Sequence, residues 1–161
     1  MERLTELLHP SPQMKIMAVT SCTDGMVEVL GSFVAGHNGS MDVSLYPGEH
    51  REIASEGIGK VDTIRDYRSP LRVATRDYEA VIVRDILHLH EMPLKLLGLI
   101  YRSMENSAEI IVVQSHGSVD HRTVEGWIEE AEFRAVNTIT DLIAGCDVIV
   151  AKKMHMWGNG L

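Results

Sequence analysis

Cysteine is nearly absent from this chain. Cys22 and Cys146 are the only two in 161 residues, with no metal-type spacing between them. They exclude a disulfide-stapled scaffold and give no cysteine cluster for a metal. Cys146 stands at the entrance to an apolar run and reads as a small core residue. Cys22 lies in a turn before a predicted helix, whose dipole can lower a thiol's pKa, although no basic partner is near it in sequence. Positive charge is also short. Fifteen Lys and Arg against 23 Asp and Glu leave a net charge of −8, so a broad footprint for phosphate backbones is missing. Nucleic acid is therefore not an expected partner. Arg65, Arg68, Arg72 and Arg76 are mixed with Asp62, Asp66 and Asp77, as in a solvated loop. No apolar run approaches the roughly 18 residues that cross a bilayer, and Met1 to Pro12 lacks a signal peptide's apolar centre. A cytoplasmic protein with no membrane contact is expected. Repeats and low-complexity tracts are missing too.

What remains is an ordinary folded composition, 45% apolar and 24% charged, long enough for one domain over residues 1–161. Leu4, Leu7 and Leu8 line one face of a short opening helix that His9-Pro-Ser-Pro12 stops. Ile16 to Val19 is a central-strand run. After the Thr23-Asp-Gly25 turn, Val27, Leu30, Gly31 and Val34 mark a helix face. Met41 to Leu45 reads as a second strand, Pro47-Gly48 as a turn into a short helix around His50 to Glu56, and Val61 to Ile64 as a third strand. Arg65 to Arg76 is a polar loop. Strands and helices alternating at this spacing predict right-handed crossovers on a parallel sheet.

The stretch from Tyr78 to His90 is the most informative. Val81, Ile82 and Val83 form a strand buried on both faces, and Pro93 then opens a helix with Leu97, Ile100, Tyr101 and Met104 at helical spacing. Open parallel sheets bind ligands beyond the carboxyl ends of their strands, which puts Arg84, Asp85 and His88 where chemistry is done.

That stretch resembles the fourth strand of class I S-adenosylmethionine-dependent methyltransferases. Glu109 to Gln114 then matches strand five and Val124 to Ala131 the following helix. Glu130-Ala-Glu-Phe133 matches the junction after it, with Glu132 in place of a glycine. Ala135 to Ile139 and Asp147 to Lys153 match strands six and seven. The resemblance is good from about Asp62 onward. It implies an α/β, Rossmann-like fold: a seven-stranded, mostly parallel sheet with an antiparallel C-terminal hairpin. It also implies S-adenosylmethionine as cofactor. In the family's glycine-rich turn, glycines let the backbone approach the ligand. Here Ser21 and Thr23 replace two glycines, Gly25 keeps the third, and Val19 stands at the acidic position. Tyr46 occupies the place of the ribose-binding acid, with Glu49 three residues on, and Asp66 matches the aspartate that faces the adenine amino group. Arg84, Asp85 and His88 would lie nearest the transferred methyl.

Each residue also has a plain structural role open to it. Asp24 fits a helix cap, Asp66 a solvated turn, and Arg84 with Asp85 an ion pair or loop cap. His116 and His121 lie beyond strand five, where either would serve as a general base. Three functions follow: a methyltransferase acting on a small molecule or protein; a non-catalytic binding or oligomerisation module of the same fold, which the eroded turn and the lack of N-terminal covering helices favour; and a metal-dependent hydrolase using His88 and His90. No metal is expected in the preferred reading. Apolar Met154, Met156 and Trp157 near the chain end, or the Leu4, Leu7 and Leu8 face, predict a homodimer.

Overall fold

A computed structural model of the chain describes residues 1–54, 56–73 and 75–154. A 3-10 turn, Glu2–Leu7, precedes β1 (Lys15–Cys22), α1 (Gly25–Ala35), β2 (Ser40–Glu49), β3 (Ile58–Thr63), β4 (Tyr78–Arg84), α2 (Pro93–Ser103), β5 (Met104–Ser115), α3 (His121–Glu130), β6 (Arg134–Ile143) and β7 (Cys146–Lys152). The strands form one seven-stranded sheet in the order β3-β2-β1-β4-β5-β7-β6. The β1–β2, β1–β4, β2–β3 and β4–β5 pairs are parallel, and β7 runs antiparallel to both its neighbours. This is the mostly parallel sheet with an antiparallel C-terminal hairpin that the resemblance implies.

The consecutive apolar runs are explained by cover on both faces. Met17, Val19, Val81, Val83, Ile110 and Val112 pack with Leu96, Leu97 and Ile100 of α2 and with Val124 and Ile128 of α3. Their alternates Ile16, Ala18, Val43, Ile82, Ile111 and Val113 pack with Met26, Val27, Leu30 and Val34 of α1. Alternate residues of a strand face opposite sides, so a strand sandwiched between helix layers must be apolar throughout.

The N-terminal face differs from expectation. Leu4 and Leu8 are buried in the second of these clusters, beside α1, and are not available to a partner. The opening residues wind as a 3-10 turn, and their leucines complete the chain's own core.

Two local features bear on later argument. No helix forms over residues 50–54, against expectation, because β2 does not end at Leu45. Its pairing with β1 shifts register after Thr20↔Leu45 and resumes at Cys22↔Glu49, so Tyr46, Pro47 and Gly48 are absorbed at the irregularity. A proline lacks an amide for a regular ladder and is tolerated at such a shift. At the other end of the sheet, Glu132 stands just past α3 with φ +78°. The Glu132 amide donates to Glu129 O and the Phe133 amide to Ile128 O, a paired closure that glycine usually provides. The missing family glycine is thus replaced without loss of the turn. Glu132→Gly is expected to raise stability by about 1 kcal/mol, since a side chain is disfavoured in this left-handed region. An unchanged urea midpoint would refute it.

Candidate functional site

The carboxyl ends of β1, β2 and β4 converge where α1 begins, and the turn from β1 into α1 is held from three sides. Asp24 caps α1, its Oδ1 accepting from the Met26 amide at 3.1 Å. The same oxygen takes a short hydrogen bond from Arg84 Nη1. Arg84 is buried, and its Nε has no hydrogen-bond partner among the described residues. Burial works to raise the Asp24 pKa, but the Arg84 and Met26 hydrogen bonds outweigh it and the carboxyl titrates below its ordinary value. Arg84 is therefore committed to the turn.

Asp85, at φ +51°, is also committed. Its carboxylate accepts from the Ser115 amide and the Ser115 hydroxyl, both at 2.7 Å, which ties the ends of β4 and β5 together. His88 stands apart from this pair. Its Nδ1 lies 3.1 Å from Gln114 Nε2. His90 is buried and turned elsewhere: its Nδ1 accepts from the Met92 amide at 3.0 Å, and its ring meets Tyr46 edge-on. The two histidines take separate partners. Beyond β5, His116 Nε2 lies 3.3 Å and His121 Nδ1 3.9 Å from the two oxygens of Asp147, so both face one carboxylate.

The turn at Ser21–Thr23 is covered by the chain itself. The Thr23 amide donates to Glu49 O at 3.1 Å, while Thr23 Oγ1 accepts from the Arg51 amide at 2.6 Å and donates to Arg51 O at 3.2 Å. Gly48 lies so close to Ser21 that a Cβ added there would sit 1.7 Å from the Ser21 carbonyl oxygen. Residues 48–51 thus form a strap along the turn. A cleft of about 650 Å³ remains beside it, lined by Cys22, Thr23, Asp24 and the strap. Gly25 has no atom within 4 Å of a notional Cβ, so it faces open space.

Tyr46 is fully buried. Its hydroxyl donates to Ser69 O at 3.0 Å and its ring stacks on Tyr67 at 5.2 Å. Burial, then Tyr67 and Asp66, push its pKa well up, so it is a neutral donor. The Tyr67 hydroxyl donates in turn to Pro47 O. Asp66 Oδ1 accepts from the Arg68 and Ser69 amides at 3.0 and 2.9 Å and from the Ser69 hydroxyl at 2.8 Å. The Ser69 hydroxyl is the main reason the Asp66 carboxyl titrates low. In this arrangement Asp66 shapes the loop after β3.

The Cys22 thiol is not activated by the start of α1: burial pushes its pKa up, and the opposing pull of Arg84 does not compensate. Cys146 is buried as expected.

The structure brings Ser21, Thr23, Tyr46 and Arg84 to one end of the sheet around the β1 turn, with Gly25 and Asp66 on its borders and Asp85 and His88 toward β5. Tyr67 and the strap have little local signature: a lone aromatic in a polar loop marks the first, and nothing local marks the second.

No protein-family model matches the sequence, and no curated protein matches it. Solved structures do. A CurJ carbon methyltransferase superposes with a TM-score of 0.71 at 12% identity, over 96% of this chain and 54% of that one. A SAM-dependent methyltransferase from Aquifex aeolicus gives 0.66 at 13%, over 95% and 89%. Haemonchus contortus phosphoethanolamine N-methyltransferase 2, in complex with S-adenosyl-L-methionine, gives 0.66 at 8%, over 94% and 51%. The fold is that of class I S-adenosylmethionine-dependent methyltransferases. This chain spans about half the length of the CurJ and Haemonchus proteins and nearly all of the Aquifex one.

Proposed function

We propose that this methyltransferase-fold protein binds S-adenosylmethionine over the carboxyl ends of β1 to β4 and transfers its methyl group to a small-molecule or protein nucleophile. The observation that supports this most directly is the sheet order with its inverted seventh strand, found here with methyltransferases as structural neighbours. In the proposal Ser21, Thr23, Gly25, Tyr46 and Asp66 line the cofactor, and Arg84, Asp85 and His88 lie nearest the acceptor. The cofactor supplies an activated methyl group, so the protein's task is chiefly to hold the nucleophile in line with it. His88, whose Nδ1 is engaged by Gln114, would hold the acceptor through its other ring nitrogen. Arg84 and Asp85 would keep the floor rigid through Asp24 and Ser115.

The cleft fits the cofactor only if the strap and Tyr67 give way. Calorimetry with S-adenosylhomocysteine is the test. Binding is expected, and Tyr67→Ala should tighten it by up to about tenfold, the worth of one released hydrogen bond to Pro47. No heat with either protein would overturn the reading. A second reading, a non-catalytic module, is favoured by one observation, the double hydrogen bond from Thr23 to Arg51 that keeps the strap down. Absence of binding in both proteins would select it. The change of Ser21 and Thr23 together to glycine removes that bond and should improve affinity if the covered turn is the obstacle; unchanged affinity in a folded variant would refute that cause.

We propose a homodimer as well. Met154 is exposed, as are Leu89, Met92 and Leu94 around the start of α2, and Met156 and Trp157 lie outside the described residues. Light scattering should give about twice 17.9 kDa, and deletion of residues 154–161 should shift the equilibrium toward monomer. A monomer at high concentration would reject it.

A further inference from the structure

A separate cavity opens on the face of the sheet under the loop that follows β3. Its volume is about 480 Å³, and it is lined by Ser44, Asp62, Thr63, Ile64, Arg65, Ser69, Pro70 and Arg72. That volume lies in the range of small-molecule sites. Elsewhere on this face apolar side chains meet α2 and α3. Here β2 and β3 present polar ones, and the described residues between Thr63 and Tyr78 form no helix to cover them.

The polar groups of this corner fall into two sets. Asp42, two residues before Ser44 on the same face, is fully engaged: it accepts from the Lys60 amide at 2.9 Å and the Tyr78 hydroxyl at 2.7 Å. Ser44 and Asp62 are register partners on neighbouring strands, so their side chains stand together at the cavity wall. Ser44, Asp62 and Arg72 line the cavity together, and none of these three side chains is hydrogen-bonded to another described side chain. Asp62 and Arg72 line the same cavity with opposite charges, and no ion pair joins them; Arg65 beside them reaches Asp66 only at 3.6 Å.

We propose that this cavity binds a small zwitterion of the free α-amino acid class. The ligand's ammonium group would be held by Asp62, its carboxylate by Arg72 with Arg65, and one polar atom by Ser44. A ligand carrying both charges bridges Asp62 and Arg72, which line one cavity without pairing with each other, beside the Ser44 hydroxyl. The residues that would hold the zwitterion are not those proposed to line the cofactor, although Ser69 of the cavity wall is bonded to Asp66 and Tyr46.

The test is a titration of the full chain with a mixture of free L-amino acids, followed by amide NMR shifts. The same mixture N-acetylated, or as methyl esters, serves as control. Saturable shifts centred on Ser44, Asp62 and Arg72 are expected, with the blocked forms binding about tenfold more weakly for the loss of one charged hydrogen bond. Asp62→Asn and Arg72→Gln should each weaken binding to a similar extent while leaving amide shifts elsewhere in the sheet unchanged. No shifts at these residues, or equal binding of the blocked forms, would overturn the proposal.

Discussion

Asp24→Ala should destabilise the chain by about 3 kcal/mol, because one carboxylate performs two jobs. Loss of the α1 cap costs about 1 kcal/mol. The rest comes from Arg84, which is buried, loses its short hydrogen bond to Asp24 and keeps only the Asp85 carboxylate 3.9 Å from its Nε. Removing one partner of a buried pair costs about 3 to 5 kcal/mol, but the Asp24 side chain is 45% exposed, so water reaches the charge and about 2 kcal/mol is the better figure. Asp24→Asn keeps an oxygen for the Met26 amide and should cost less. Combining Asp24→Ala with Arg84→Met should recover most of the loss, since an apolar replacement leaves no stranded charge. Urea denaturation of the set decides; a double variant no more stable than Asp24→Ala would refute the stranded-charge account.

The same pair gives a pH dependence of known sign. The folded Asp24 pKa lies below the unfolded one, so its stabilisation is complete above the ordinary aspartate pKa, near 4, and is lost as pH falls through the lowered folded value. Asp24→Asn should flatten the acid limb of the stability profile in that window. An identical acid limb would show that other carboxylates carry it.

Gly48→Ala is the second large effect expected. The new Cβ would meet the Ser21 carbonyl oxygen at 1.7 Å and its carbon at 2.8 Å, both backbone atoms that cannot rotate aside. Either the strap lifts from the turn, breaking the bonds from Thr23 to Glu49 and Arg51, or the ends of β1 and β2 separate. Overpacking of this kind costs about 1 to 3 kcal/mol, occasionally more, and the backbone contact places this site at the upper end. Cys22, which lines the same cleft, should react faster with a thiol reagent once the strap lifts. Gly98→Ala, within α2 with no atom inside 4 Å of its Cβ, is the control and should stabilise by up to about 1 kcal/mol. A Gly48→Ala protein with unchanged melting temperature and unchanged Cys22 reactivity would show that the strap does not press on the turn.

The sequence by itself determined the architecture, because its signals are periodic and local. Val81 to Val83 and Ile110 to Val113 are apolar without alternation, which only a strand covered on both faces requires. Pro93 and Asp24 stand at helix starts for reasons of backbone geometry and capping that need no distant partner. Even Glu132, where a glycine was expected, occupies a turn that the neighbouring residues already define. The end of β2 and the state of the candidate cleft were decided only in three dimensions. Pro47-Gly48 has the local character of a turn, yet it lies within a strand because Cys22 and Thr23, more than 20 positions earlier, offer Glu49 and Arg51 their hydrogen-bonding groups. Arg84, for which the sequence left an ion pair open with Asp85, donates its hydrogen bond to Asp24, 60 positions earlier; Leu4 and Leu8 looked free to dimerise and instead lie in the core. In each case the deciding interaction joins residues far apart in the chain. Its strength depends on burial, which folding creates and no local pattern records.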